Sequence, residues 1–182
     1  MDDSPASLAA AVRHDVEPAI EIDLEPVDSV TVVILMDNVT DALMTDHGPA
    51  RRFDLTRSPW RPLAMMAEGR VPDSLIAEHG FSALVTVTKA GQEHRFLFDA
   101  GTSPDGVIEN MRRLDIDPYS IEAIVCSHGH FDHTTGIDGL IRAVGRLNLP
   151  VLIHPHFWRQ RRVQLPGREP RELPTTSRRA LI

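Results

Sequence analysis

The chain has 182 residues, of which 42% are hydrophobic and 25% are charged, a balance typical of soluble globular proteins. Its single cysteine excludes an internal disulfide framework. No apolar run is long enough for a signal peptide or a membrane-spanning helix, so the sequence predicts a cytoplasmic protein.

The net charge of −7 arises at the start of the chain. Residues 1–28 hold eight acidic residues against Arg13 alone. This segment is rich in alanine and proline and has no clear period, which predicts a flexible acidic lead-in before a domain spanning residues 29–182.

The first predicted elements are strands. Residues 30–36 form a continuous apolar run typical of a buried strand, ended by Asp37 and Asn38. Residues 40–73 form a long stretch rich in proline and arginine, interpreted either as a lid or substrate-binding excursion or as plain disorder. Residues 82–89 and 94–99 predict two strands of a hairpin.

A helix is predicted over residues 104–114, with Thr102 or Ser103 as its cap. An apolar strand over residues 121–126, a helix over 134–147 and a strand over 151–153 follow. Strands that alternate with helices in this order predict an α/β layered domain.

A dense cluster of polar side chains follows the strand at 121–126. His128, His130, Asp132 and His133 form a His-x-His-x-Asp-His pattern. Imidazole and carboxylate are ligands for divalent zinc, iron and manganese, so the cluster predicts a metal site. Side chains two apart in an extended segment point the same way, so His128 and His130 can bind one ion.

Two ions are geometrically plausible, because Asp132 and His133 swing to another side if the chain turns into a helix there. Two other interpretations of the cluster are ordinary polar loop residues and a closed structural zinc site. The second fits poorly, because structural sites usually use cysteine and this chain has only Cys126. Cys126 itself is predicted to be a small buried hydrophobe rather than a nucleophile.

These motifs resemble a known family. The cluster, preceded by Leu97-Phe98-Asp99-Ala100-Gly101, resembles the metallo-β-lactamase superfamily of metal-dependent hydrolases. Further segments resemble more narrowly the branch related to dihydropterin ribofuranosylaminobenzene phosphate synthase. These segments are Asp37-Asn38, Glu78-His79-Gly80-Phe81-Ser82 and Ser127-His128-Gly129-His130-Phe131-Asp132-His133-Thr134.

The resemblance implies roles for individual residues. His128 and His130 would bind a first metal, and Asp132 and His133 a second, with two zinc ions in a complete domain and iron or manganese as substitutes. Asp99 would support these ligands from behind.

The resemblance also implies that this chain is incomplete. Family members draw further ligands from later in the chain, on the second half of a four-layer αββα sandwich. We therefore expect the N-terminal portion of that sandwich, truncated after Ile182. Half a sandwich exposes one apolar sheet face, which self-association or a complementary chain could cover.

The function implied is that of a metal-dependent hydrolase or related transferase acting on a small molecule. A metal-bound hydroxide would attack an ester, thioester, lactam or phosphoester, and Asp132 would orient it. The alternative is a non-catalytic half-domain that binds metal or a partner. His79 is a candidate for lining the substrate site, with a plain polar residue at a strand entry as the other interpretation.

The end of the chain is basic. From Arg159 onward seven arginines face two glutamates. A nucleic-acid or phosphate surface is one interpretation, but aromatic residues do not alternate with the arginines, which favours a solvated or internally paired segment. Arg161 and Arg162 are candidates for contacting an anionic substrate.

Overall fold

A computed structural model describes residues 22–145 and 148–181. The strands are β1 (Ser29–Met36), β2 (Trp60–Pro62), β3 (Arg70–Pro72), β4 (Ser82–Lys89), β5 (Gln92–Phe98), β6 (Ala123–Val125), β7 (Val151–Leu152), β8 (Arg161–Val163) and β9 (Arg171–Leu173). The α-helices are α1 (Gly106–Arg113), α2 (Phe131–Thr134), α3 (Ile137–Val144) and α4 (Arg178–Leu181). Short 3-10 turns lie at Leu55–Arg57, Pro118–Ser120 and Pro155–Trp158.

A five-stranded sheet in the order β1-β4-β5-β6-β7 is the centre of the fold. The first three strands pair antiparallel, and β5, β6 and β7 pair parallel. Helix α1 connects β5 to β6, and α2 and α3 connect β6 to β7. Helices that join parallel strands are the hallmark of an α/β layer, so the predicted fold class is confirmed.

One face of the sheet carries the core. Leu84, Leu97 and Ile124 occupy neighbouring register positions on β4, β5 and β6, and each is at most 3% exposed. They belong to the same buried cluster as Met111 of α1 and Leu140 of α3. Removing this apolar surface from water is the main stabilising contribution, since each fully buried side chain of this size contributes about 1.5–3 kcal/mol.

The opposite face of the sheet is also apolar but is exposed. On β1, Val30, Val32 and Ile34 are 55%, 55% and 45% exposed, and Leu152 on β7 is 67% exposed. In the register, Val32 pairs with Val85, so the apolar character continues onto β4. The described part of the chain therefore has one covered and one open sheet face.

The helix predicted over residues 134–147 differs from the structure. Helix α2 already begins at Phe131, and α3 ends at Val144, where Gly145 adopts the left-handed conformation (φ 62°). Such a glycine is a common helix stop. The last two residues of the predicted helix lie outside the described residues, as do residues 1–21 of the predicted lead-in.

The cap predicted for the preceding helix was wrong. Helix α1 starts at Gly106 with Asp105 at the cap position, not Thr102 or Ser103. The backbone N–H groups of Thr102 and Ser103 donate to the carboxylate of Glu78, at 2.7 and 2.9 Å. This distant acceptor holds both residues in the loop, and local sequence does not reveal it.

The stretch at 40–73 contains an ordered β2–β3 hairpin rather than disorder alone. Its end is anchored by Asp73, which is 4% exposed and accepts hydrogen bonds from Arg112 and, at 3.1 Å, from Arg113 Nε. The hydrogen bond from Arg112 holds the pKa of Asp73 below its usual value, against the effect of burial. The 40–73 stretch is thus tied to α1.

Among the described residues, no helix is long and apolar enough to cross a bilayer.

Candidate metal centre

The His-x-His-x-Asp-His loop lies at the carboxyl ends of two parallel strands. Strand β6 pairs with β5, so the residues that follow each strand meet at one edge of the sheet. Asp99 follows β5, and its N–H donates to the carbonyl of Val125 at 2.9 Å. In α/β sheets this edge is where ligands bind. The topology therefore brings Asp99 beside a loop about 30 residues further along the chain.

The three imidazoles of the loop lie against one another. The ring centroid of His128 is 4.5 Å from that of His130 and 4.3 Å from that of His133. Nε2 of His128 and Nδ1 of His130 are 2.9 Å apart. Their other neighbour in the motif, Asp132, lies with Oδ2 3.6 Å from Nε2 of His133. The structure thus gathers all four predicted ligands in one place.

Asp99 and Ser127 contact the back of this cluster. Oδ2 of Asp99 is 2.8 Å from Nδ1 of His133 and accepts a 2.6 Å hydrogen bond from the Ser127 hydroxyl. The same hydroxyl lies 2.9 Å from Nδ1 of His128. These contacts occupy Nδ1 of His128 and Nδ1 of His133 and leave Nε2 of both rings facing the cluster. Outer partners of metal-binding histidines orient the rings in the same way.

The burial and the backbone conformation of Asp99 both favour an aspartate at this position behind His133. It is 1% exposed and has a left-handed backbone (φ 54°), a conformation that Asp tolerates better than most residues. Its supporting role remains the role predicted from the resemblance. Ser127 was missed as a contributor, although its position directly before the motif was a signal.

Burial also affects the titratable groups near the loop. It lowers the pKa of His128, and the neighbouring His133 and His130 lower it further. A lowered pKa keeps the imidazole neutral, which is the form that binds metal. Burial, followed by the charge of Asp99, raises the pKa of the Cys126 thiol to about 12. Cys126 is therefore a buried, protonated thiol, in keeping with the prediction.

A second segment lies over the loop. Nε2 of His79 is 3.3 Å from Oδ2 of Asp132, and the His79 side chain is 78% exposed. Gly80 makes this approach possible, because a Cβ there would lie 2.4 Å from the carbonyl oxygen of Asp132. Glu78 secures the segment through its hydrogen bonds to the loop after β5. His79 therefore lies at the solvent side of the cluster, whereas the anchoring role of Glu78 was not predicted.

The donor set fits a divalent ion. Two imidazole nitrogens bound to one tetrahedral ion at about 2.0–2.1 Å lie about 3.3 Å apart, and those of His128 and His130 are 2.9 Å apart. Among residues 22–145 and 148–181, however, no group of three His, Cys, Asp or Glu side chains meets the geometry for holding an ion. The donor types and their proximity therefore suit a divalent ion, while the described side chains do not by themselves form a complete ligand set.

The later polar residues are placed less centrally. His154 and His156 contact each other, with ring centroids 5.0 Å apart, and His154 caps the Pro155–Trp158 turn in which His156 lies. Arg162 is 3.9 Å from Glu172 across the β8–β9 hairpin. Nη1 of Arg161 donates to three backbone carbonyls. These two pairings agree with the internally paired interpretation of the basic segment, and a substrate contact of either arginine stays a prediction.

Comparison with known proteins places these observations in context. The sequence profile of the metallo-beta-lactamase superfamily matches residues 77–174, more than half of the chain. The 7,8-dihydropterin-6-methyl-4-(beta-D-ribofuranosyl)-aminobenzene-5'-phosphate synthase of Methanocaldococcus jannaschii is 37% identical over 83 residues, 46% of this chain and 28% of that protein. Ribonuclease Z of Pyrobaculum neutrophilum is 40% identical over 48 residues, 26% of this chain and 16% of that protein. The chain spans less than a third of either curated relative.

Solved structures give partial matches of the same kind. MEM-A1, a subclass B3 metallo-beta-lactamase isolated from a soil metagenome library, is 28% identical with a TM-score of 0.32, covering 43% of this chain and 28% of that one. Rm3 metallo-beta-lactamase is 27% identical with a TM-score of 0.33 over the same shares. Each overlap covers less than half of this chain and less than a third of the solved chain.

Proposed function

The chain belongs to the metallo-beta-lactamase superfamily, and on that premise we propose that its His-x-His-x-Asp-His loop is the metal centre of a hydrolase or of a related transferase. The observation that supports this most directly is the approach of Nε2 of His128 to Nδ1 of His130 at 2.9 Å, with Asp132 and His133 beside them. Polar side chains that face one another in this way match the donor preferences of zinc, iron and manganese.

Each side chain of the loop has its own role in this centre. His128 and His130 hold one ion, and Asp132 and His133 hold a second. When bound, such ions supply Lewis acidity that polarises a carbonyl or phosphoryl oxygen. Asp132 also orients the attacking water. Asp99 fixes the ring of His133 through the 2.8 Å contact at Nδ1, so that Nε2 stays turned toward the centre.

The proposed substrate is a small molecule with an ester, thioester, lactam or phosphoester bond. His79 is the proposed substrate-facing residue, because its ring is 78% exposed and reaches within 3.3 Å of the Asp132 carboxylate. The synthase from Methanocaldococcus jannaschii is named for a 5'-phosphate compound, which makes a phosphorylated substrate a reasonable first choice for screening. A cytoplasmic location is proposed from the sequence alone.

Bound metal is the first quantity to measure. Elemental mass spectrometry on the purified 182-residue chain should detect bound metal, and a His128→Ala/His130→Ala double variant should lose the ion that these two imidazoles hold. A His47→Ala/His94→Ala variant is the matched control, because both of these histidines are exposed and lie outside the cluster. Equal metal content in the wild type and in the cluster variant would contradict the proposal.

A second function is favoured by one observation. One sheet face of the described residues is open and apolar, with Val32 and Leu152 exposed. This face supports a half-domain that binds another chain, with or without metal, and has no turnover. A second copy or a complementary chain on that face remains a prediction. Stoichiometric metal without hydrolysis of generic esters or phosphoesters would favour this function over the first.

A further inference from the structure

One arginine joins the metal loop to a later turn of the chain. Nη1 of Arg161 lies 3.1 Å from the carbonyl oxygen of Gly129, 2.9 Å from that of Phe157 and 2.8 Å from that of Arg159. Gly129 separates His128 from His130. A single charged donor therefore binds the backbone between the two imidazoles and the backbone of the Pro155–Trp158 turn.

The two backbones are in close contact at this point. A Cβ on Gly129 would lie 2.3 Å from the carbonyl oxygen of Phe157, so only glycine allows the loop to sit there. Phe157 is 1% exposed and belongs to the core. The turn is therefore anchored, and the loop rests on it.

The charge of Arg161 stabilises this contact between the two backbones. Carbonyl oxygens that converge repel each other unless a donor lies between them, and a guanidinium makes hydrogen bonds about twice as strong as those of a neutral donor. Arg161 is half-buried, so water replaces these bonds less readily than at an exposed site. Loss of the guanidinium should free the Gly129 carbonyl and let the loop move away from Phe157.

We propose that Arg161 is a positioning residue of the metal centre. By holding the Gly129 and Phe157 carbonyls together it sets the spacing between Nε2 of His128 and Nδ1 of His130. This inference rests on the proposed function, because it concerns the same ligands. It differs from a substrate-contacting role, in which Arg161 would alter the affinity for substrate and leave that for metal unchanged.

The test is the affinity for zinc, measured by competition with a chromophoric chelator on the full 182-residue chain. Arg161→Ala should raise the dissociation constant by about 10- to 100-fold, as loss of other outer partners of metal ligands does. Arg161→Lys should recover part of the affinity, because an ammonium donates three hydrogens but lacks the planar fork. Arg171 lies in the same hairpin and is exposed. The dissociation constant of Arg171→Ala for zinc should stay within about twofold of the wild-type value, because most exposed surface residues tolerate substitution.

A spectrum separates positioning from a general loss of stability. The visible absorption of the cobalt(II)-loaded protein reports ligand geometry, and it should change in Arg161→Ala but not in Arg171→Ala. A purely structural role would lower the melting temperature of the metal-free protein without moving the cobalt spectrum. If Arg161→Ala does not fold, Arg161→Gln replaces it. Wild-type zinc affinity in the variant that folds would overturn the inference.

A second variant reaches the same contact from the other side. Gly129→Ala places a methyl group against the Phe157 carbonyl and should also weaken zinc binding. Because both changes break one contact, the loss in the double variant should be smaller than the sum of the single losses. Strictly additive losses would count against a shared contact.

The two proposals fail in distinguishable ways. If the wild-type chain binds no more zinc than His128→Ala/His130→Ala, the proposed function fails, and the positioning role fails with it. If the wild type binds zinc and Arg161→Ala matches Arg171→Ala, only the positioning role fails.

Discussion

The two faces of the central sheet have similar composition and opposite surroundings. Leu97 on one face is fully buried, whereas Leu152 on the other is 67% exposed. Helices α1 and α3 cover the first face, and both helices lie in the connections between parallel strands. Apolar character alone therefore does not decide which face is buried, because burial depends on the elements that pack on that face.

The largest expected effect comes from replacing one leucine on each face and comparing the free energies of unfolding. Leu97→Ala should lower the free energy of unfolding by about 2–5 kcal/mol, because it removes buried methyl groups and leaves a cavity. Leu152→Ala, its matched control, should cost less than about 1 kcal/mol, because the side chain already contacts water. Both values come from urea unfolding followed by circular dichroism. Similar losses for the two variants would show that the second face is covered in solution.

An intermediate loss of stability is expected when the contact between Asp73, at the end of the β2–β3 hairpin, and helix α1 is broken. Asp73→Asn should cost about 1–3 kcal/mol at neutral pH, since Arg113 then loses a buried charged acceptor. Arg112 keeps the pKa of Asp73 below its ordinary 3.8 in the folded state. The advantage of the wild type over Asp73→Asn is therefore complete above that pH and is lost as the pH falls through the folded pKa.

The measurement for this anchor is the unfolding free energy of both proteins between about pH 2 and pH 6. A difference that does not change with pH would contradict the ion pair. Asp54, whose pKa is also lowered but which is exposed, offers a comparison through Asp54→Asn, for which a much smaller pH-dependent difference is expected.

The smallest expected effect is on the open face. Val32→Thr keeps the β-branched shape at a position that is 55% exposed, so the free energy of unfolding of the monomer should change by no more than about 0.5 kcal/mol. Sedimentation velocity of the same variant tests the open face directly. A larger loss of stability, or a change in the sedimentation coefficient, would show that another chain or a second copy covers Val32.

Local patterns predicted most of the elements correctly. The apolar runs on both sides of Gly91 form the predicted antiparallel pair, and the run from Val30 forms a strand paired with the first of them. The prediction that this last strand is buried was wrong for Val30, Val32 and Ile34, which lie on the open sheet face. Boundaries were less predictable where a distant group intervenes. Glu78 occupies the backbone N–H groups of Thr102 and Ser103, and for this reason the following helix starts later than its sequence predicts.

Residue types and short-range periodicity are local properties, so the sequence alone predicted most of the strands, the set of imidazole and carboxylate side chains in the His-x-His-x-Asp-His loop and the family to which the chain is similar. The partners that contact these side chains from behind depend on the tertiary structure. Asp99 reaches His133 through the pairing of β5 with β6, and Arg161 reaches Gly129 through the turn after β7. Such contacts join residues about 30 positions apart, and chain packing rather than spacing in the sequence brings them together.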